Sequence, residues 1–467
     1  MRWIVSCAAA TLLASTVFVI GGGVNLIAKD RNDPGANANR DATADPIEGE
    51  LIVHEWGTFT SFSGSDGVRL EFRPLIDQDL PAFVLDRFLQ AGVSNPFLKL
   101  RVRARMRMET PVTYFYTERE RDVNVHVEFP DGLLTEFYPP VANMAPDFKL
   151  FEKLPITNSM LDWGRIHLIP TNRLQANVDD PQLRRLLEKR MIGGLLPPDN
   201  NSNNHYYHAR ETDSALVQVH RGPSADPKKR PFAPAGDFFE KFLFYRGIGN
   251  FDLPLQLEAR GEGRYDLLNA GPDPIRSLLL VTVDGSDVRF AEFAEIQSGG
   301  RLPLTQSLKP STVDQLGEAV AAALVLEGLY EKEAWAMVNT WKSSWFGENG
   351  TRLLYMLPQR ITDEILPLKI EPSPDEMVRV LVGRMEILSP EDETRIVELI
   401  RKSAAERQAA NRTSKSTGEP TSYGWPPELD RWGRLAEPAL VRARAISDDP
   451  VVRTESTLLL RDLEANK

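Results

Sequence analysis

In DVNVHVEF, residues 122–129, every second residue is apolar: Val123, Val125, Val127 and Phe129 alternate with Asn124, His126 and Glu128. Successive side chains of a strand point to opposite faces, so a period of two marks a strand with one buried and one wetter face. The same alternation runs through LRVRARMRME, where Val102, Ala104, Met106 and Met108 alternate with Arg101, Arg103, Arg105 and Arg107. Further strands are expected at GRIHLIP, ALVQVH, EKFLFYRG, LPLQLEAR and SLLLVTVDG, with turns at Gly64-Ser65-Asp66-Gly67 and Pro130-Asp131-Gly132. Many short half-buried strands predict an antiparallel β-sandwich. Inside it, DDPQLRRLLEKRM reads as one inserted helix, followed by the loop PPDNNSNN.

After Pro310 the period becomes helical, in STVDQLGEAVAAALVLEGLY and EKEAWAMVNTWKSSWF, with TRLLYMLP interrupting as a strand. Ser373 with Glu376 reads as a capping box with Pro374 at the first helical position, and Ser389-Pro390 as a second helix start. The fold class expected is α+β: a β-sandwich body over residues 51–308, a helical region over 309–402 packed on it, a polar linker over 403–427, and a helical-pair tail over 428–467.

From Trp3 to Ala28 no residue is charged, and Arg2 and Lys29 flank the run. These 26 residues are long enough to cross the hydrocarbon layer of about 30 Å as a helix. Small-residue cut sites are poor, which favours a retained transmembrane anchor over a cleaved signal. Residues 29–50 are polar, with Gly and Pro and little to bury, and read as a flexible tether. The expected location is extracytoplasmic and membrane-anchored, in the periplasm or at the cell surface, with the membrane as partner through the N-terminal segment. The one cysteine, Cys7, lies in the uncharged run, so the remaining chain forms no disulfide and no thiolate metal site. A net charge of −11 argues against a nucleic-acid partner. No cofactor is expected, since GIGNFD lacks a third glycine and a following helix and no P-loop occurs.

HEWGTFTSF, RMETPVTYFY, EKFLFYRG and WFGENGTRLLYMLP, in that order, resemble a group of uncharacterised bacterial envelope proteins that open with an HEWGTFT-like strand. The likeness covers residues 51–390. It implies no activity and transfers no catalytic residue.

The chemistry therefore rests on the residues themselves. His54-Glu55 matches the start of the zinc-protease pattern H-E-x-x-H, but Thr58 stands where the second histidine is needed. As a strand, this stretch puts His54 with Trp56 and Thr58 on one face, and Glu55 with Val53, Gly57 and Phe59 on the other. His54 and Trp56 are candidate ligand-binding groups, with sheet-face packing as the plainer reading. Glu55 is expected to pair with an arginine. SGSDG falls short of a nucleophile elbow and reads as a hairpin turn. In NHYYHARETD, His205, His208, Glu211 and Asp213 are candidates to share a divalent ion, against a polar loop returning to a strand. Trp335, Trp341 and Trp345 either stack against sugar rings or pack the core. The arginine row binds an anionic polymer or pairs with glutamates such as Glu118, Glu120 or Glu128. Two functions follow: a membrane-tethered binding or structural module of the envelope, with a polymer or protein partner, or an envelope hydrolase acting on polysaccharide or peptide through carboxylates such as Glu55, Glu109 or Glu136.

Overall fold

At the centre of the protein lies strand β1 (Ile52–Ser63), all of whose 12 residues are buried. Such burial needs cover on both faces, and the computed structural model, which describes residues 49–75, 79–90, 99, 102–146, 155–171, 193–198, 204–223, 233–305, 308–417 and 425–465, provides it. The described residues place β1 in an eleven-stranded sheet. Its path runs β17 (Lys309–Ser311), β15 (Asp287–Ile296), β14 (Ile275–Asp284), β18 (Gly350–Met356), β20 (Glu376–Ile387), β1, β4 (Met106–Tyr116), β11 (Leu243–Gly249), β6 (Gly132–Tyr138) and β3 (Leu85–Asp86), with β2 (Arg69–Leu70) off β1. Neighbours are antiparallel except β1 and β20, which pair in parallel from Ile52 opposite Glu376 to Ser63 opposite Ile387.

One face of this sheet packs on a six-stranded sheet, in the order β10 (Gly236–Glu240), β9 (Leu216–Arg221), β8 (Ser159–Ile169), β5 (Arg121–Phe129) and β19 (Leu368–Glu371), with β7 (Asn143–Ala145) off β8. Val123, Val125, Val127 and Phe129 of β5 meet Val53 and Phe59 of β1 in the largest core, so the alternation that marks β5 is what makes the sandwich. A three-stranded sheet, β12 (Leu255–Gly261), β13 (Arg264–Asn269) and β16 (Arg301–Leu304), supplies Leu255, Leu257 and Leu267 to the same core. The opposite face, with Ile52 and Trp56, is covered by helices Val313–Leu326 and Glu331–Gly347 through Leu316, Val320, Trp341 and Trp345. At the end of β1, Phe62 joins a third core with Ile396, Ile400, Leu440 and Leu459 of the C-terminal helices. The fold class is α+β, with a sandwich body and helices concentrated toward the C-terminus.

Several expectations meet a different structure. Ser373 and Glu376 start no helix: Glu376 opens β20, whose inner position between β18 and β1 buries Val380 to Ile387 on both faces. The large sheet thus crosses the boundary expected at residue 308. The linker expected from residue 403 is helical as far as Thr417, in one helix Pro390–Thr417. Ser403 Oγ donates to Glu455 Oε1 at 2.7 Å and Arg407 Nε to the same oxygen at 3.0 Å, so this polar stretch is held by helix Pro450–Ala465. The arginine row is no strand along its length: β4 starts at Met106, and Ala104 makes only an isolated bridge to Phe72. Arg103, Arg105 and Arg107 pair with Glu437, Asp252 and Asp79 rather than with Glu118, Glu120 or Glu128. Arg101, the inserted helix, most of the loop after it and the run from Trp3 to Ala28 lie outside the described residues. Among the described residues, no helix is long and apolar enough to cross a membrane.

Candidate functional site: a charge-paired cleft

Strand β4 carries a bulge that decides which side chains reach the site. Opposite β1, Trp56 pairs with Val112 and Thr58 with Glu109, so β4 advances three residues while β1 advances two. The extra residue lies at Thr110-Pro111, where Thr110 has φ of 46°. It reverses the parity of the strand. Met106 and Met108 face the sheet-sheet core, whereas Arg107 and Glu109 face the same side as Val112 and Tyr114, beside Thr60 of β1.

There they meet a cleft of about 830 Å³ between the sheet, helix Glu331–Gly347 and the segment around Arg434. A relay of opposite charges runs along its wall, with Asp79, Arg107, Glu348 and Arg434 on the lining and Arg246, Glu109 and Arg384 behind them. Arg246 Nη1 donates to Asp79 Oδ1 at 2.7 Å, and Asp79 Oδ2 lies 3.5 Å from Arg107 Nη2. Arg107 Nε stands 3.3 Å from Glu109 Oε1, which accepts from Arg434 Nη1 at 3.0 Å. Arg434 Nε donates to Glu348 Oε1 at 3.2 Å, and Glu348 Oε2 accepts from Arg384 Nη2 at 3.2 Å. On another wall Arg73 Nε donates to Glu437 Oε1 at 2.6 Å.

These contacts fix protonation. Burial pushes the Glu109 carboxyl up, but Arg434, Arg107 and Arg384 outweigh it and hold the group well below the usual carboxylate range. Asp79 is held low in the same way, by Arg246 and Arg107 against burial. His205 also lines the cleft, and burial pushes its imidazole down to about 4 despite the pull of Asp79, so it is neutral at pH 7. Its Nε2 stands 3.7 Å from Asp79 Oδ2 and its ring lies 5.5 Å from that of Trp341.

The other expected site residues are dispersed. His54 is buried, with Nδ1 2.7 Å from Glu333 Oε2 and its ring beside Tyr116 and Tyr330. Trp56 is buried under the helices. Glu55 projects to the opposite face, accepting from Arg379 Nε at 2.8 Å, from Thr113 Oγ1 at 2.9 Å and from the Tyr245 hydroxyl. Glu136, on β6, accepts from Lys99 Nζ at 2.9 Å and from Thr135, and the lysine and Arg246 outweigh burial to lower its carboxyl. Glu55 thus serves a cluster of its own, whereas Glu109 and Glu136 stand on either side of Arg246, which both of them feel.

The expected ion site does not assemble. His205, in the 3-10 turn His205–Arg210, faces the cleft; His208 Nδ1 lies 3.1 Å from Glu211 Oε1; and Asp213 pairs with Lys332 at 2.6 Å. Among the described residues no three His, Cys, Asp or Glu side chains are grouped to hold a metal ion. The turn separates the two imidazoles because Asn204 caps it and Tyr206, between them, is anchored in the aromatic core. Of the tryptophans, Trp341 and Trp345 stack 6.2 Å apart in the core, with Trp341 also at the cleft, and Trp335 stands at the surface, 37% exposed. Asp79, Glu348 and the neighbouring Arg434 and Glu437 formed part of no sequence expectation; they come from three distant stretches of the chain.

No family model matches the chain, and no curated protein does. Solved structures that align with it include the yeast delta-COP-I mu-homology domain, at 8% identity over 74% of this chain and 98% of that one, with a TM-score of 0.22. The same domain complexed with a Dsl1 WxWxV peptide aligns at 7% identity over 73% and 98%, again with a TM-score of 0.22. At that score the likeness carries no functional meaning for this chain.

Proposed function

We propose that the protein is a binding module of the cell envelope, tethered to the membrane by its N-terminal segment, which holds its ligand in the cleft without transforming it. One observation carries this reading. Of the carboxylates lining the cleft, Asp79, Glu348 and Glu437 are clamped by arginines, with Asp79 held ionised like Glu109 behind the wall, and Asp430 accepts from Trp425 Nε1. A glycosidase or peptidase working through carboxylates needs one kept protonated as general acid, and these surroundings do the opposite. The uncharged run from Trp3 to Ala28 and the polar residues after it support the tether. The full-length chain should remain in the membrane pellet after carbonate extraction and should be retained by sedimented cell-envelope material. Ser343, exposed and lining the cleft, gives the control: Ser343→Trp should abolish that retention. Retention that survives it would remove the cleft from the function, and a soluble product starting near Lys29 would remove the tether.

A second reading, hydrolysis through paired carboxylates, draws on Asp86 and Glu136, which are register partners on β3 and β6. Burial and Glu136 raise Asp86, while Lys99 and Arg246 lower Glu136 against burial, the divergence that an acid and a base require. Hydrolysis of envelope polysaccharide or peptide that Glu136→Gln removes at an unchanged melting midpoint would favour it.

A further inference from the structure

Among the described residues, three of the four carboxylates on the cleft lining have a guanidinium against them and the fourth has none. Asp79 faces Arg107, Glu348 faces Arg434 and Glu437 faces Arg73. Asp430 is exposed and makes no such pair, and Arg431, next to it in the chain, stands off the lining. Its Oδ1 accepts from Trp425 Nε1 at 2.8 Å. That bond holds the carboxylate beside an indole that also lines the cleft, and it leaves Oδ2 for another partner.

The paired charges are not turned to the cleft equally. The side chains of Arg73 and Arg107 are 1% and 4% exposed, whereas those of Asp79 and Glu348 are 23% and 32% exposed; of the lining guanidiniums only Arg434, at 21%, shows much surface. An entering group therefore meets carboxylate edges more than guanidinium ones. An anion would have to break an existing pair to find a counter-charge, while a cation can join Asp430 and break none. The indole face draws a cation too, through the ring quadrupole. One carboxylate beside an indole is not a metal site, which needs several ligands. It suits a protonated amine, whose N–H groups donate and whose alkyl chain can lie along Phe62, Phe72 and Leu429 of the same lining. A volume of about 830 Å³ lies within the range of roughly 300 to 1,000 Å³ usual for small-ligand clefts.

We propose that the cleft binds an alkylammonium group, its charge set against Asp430 and the ring of Trp425. The inference rests on the binding-module reading and adds the chemical class of the ligand.

The test is calorimetric titration of the full-length chain in detergent, at pH 7 and low salt, with n-butylamine and putrescine beside two controls of the same four-carbon length, neutral 1,4-butanediol and anionic succinate. An amine should bind and the controls should not, and added salt should weaken the binding. Asp430→Asn keeps an acceptor for Trp425 and removes the charge, at an exposed position where the fold does not depend on it. It should weaken amine binding by about tenfold, or roughly 1.4 kcal/mol, at an unchanged melting midpoint. Ser343→Trp should abolish binding. The amine may come from envelope material or be free in solution, and acetylating the amines of the envelope material separates the two: lost retention places the ligand on that material, and unchanged retention makes it a free small amine. The proposal is overturned if neither amine binds, if Asp430→Asn binds them as the parent does, or if their binding survives Ser343→Trp. If butanediol or succinate binds instead, in a manner sensitive to Ser343→Trp, the ligand class is wrong and the binding cleft stands. If nothing binds and envelope material is also not retained through the cleft, both readings fall.

Discussion

Glu55 illustrates how much one residue's surroundings decide. Alternation along β1 sends it to the sheet-sheet face with Val53 and Phe59, and that face is dry, so its charge needs a partner. Arg379, its register partner on β20, provides one. Glu55→Gln should lower stability by about 3 kcal/mol or more, because it leaves the Arg379 guanidinium buried with one fewer charge partner, Asp363 remaining. Glu55→Met with Arg379→Met should cost less than either single change, a sign that denaturant unfolding of the four proteins would read directly. An unchanged midpoint in Glu55→Gln would make this carboxylate a candidate for chemistry instead. His205 offers a second residue-level test. Its folded pKa of about 4 lies below the free value of about 6.5, so the unfolded chain binds more protons between those limits. Its contribution to stability is present above pH 6.5 and is lost as pH falls toward 4. His205→Gln should flatten the melting-temperature profile across that window.

At the scale of elements, the bulge in β4 gives the cleft its floor. Without the extra residue at Thr110-Pro111, Arg107 and Glu109 would point into the sheet-sheet core, and Met106 and Met108 toward the cleft. Gly57 lies opposite the bulge because the strands approach closely there: a Cβ on it would meet Pro111 Cα at 3.0 Å. Gly57→Ala should therefore cost about 1 to 3 kcal/mol in thermal or denaturant melting and loosen the cleft residues, whose amides should exchange faster. A variant as stable as the parent would show that the bulge yields. Helix Pro390–Thr417 makes the complementary point. Its polar composition resembles a linker, yet buried Ala404 and the bonds of Ser403 and Arg407 to Glu455 bind it to its neighbour. Low hydrophobicity over a short window does not report a partner supplied from elsewhere in the chain.

For the whole molecule, the relay joins β4, β11, β20, helix Glu331–Gly347 and the C-terminal segment through charges. Asp79, Glu109 and Glu386 all have carboxyls held below the usual range by arginines that outweigh burial. Groups whose folded pKa is depressed stabilise above the unfolded value of about 4 and lose that contribution as pH falls below it. Melting should therefore shift steeply downward below about pH 4, and less steeply in Arg434→Met, where Glu109 and Glu348 lose a cation. A profile flat to pH 2 would contradict the relay. The α+β class, the alternation of β5, the opposed faces of His54 and Glu55 and the helices after Pro310 were all readable from the chain, because each rests on a local period. Strand β20 was misread because Ser373, Pro374 and Glu376 imitate a helix start, whereas its parallel pairing with β1 joins residues more than 300 positions apart. The cleft was hidden for the same reason: Asp79, Arg107, Glu348 and Arg434 become neighbours only when a bulge, two sheets and the C-terminal helices close around them. Local periodicity determines which face a side chain takes, and long-range packing alone determines which charge it meets there.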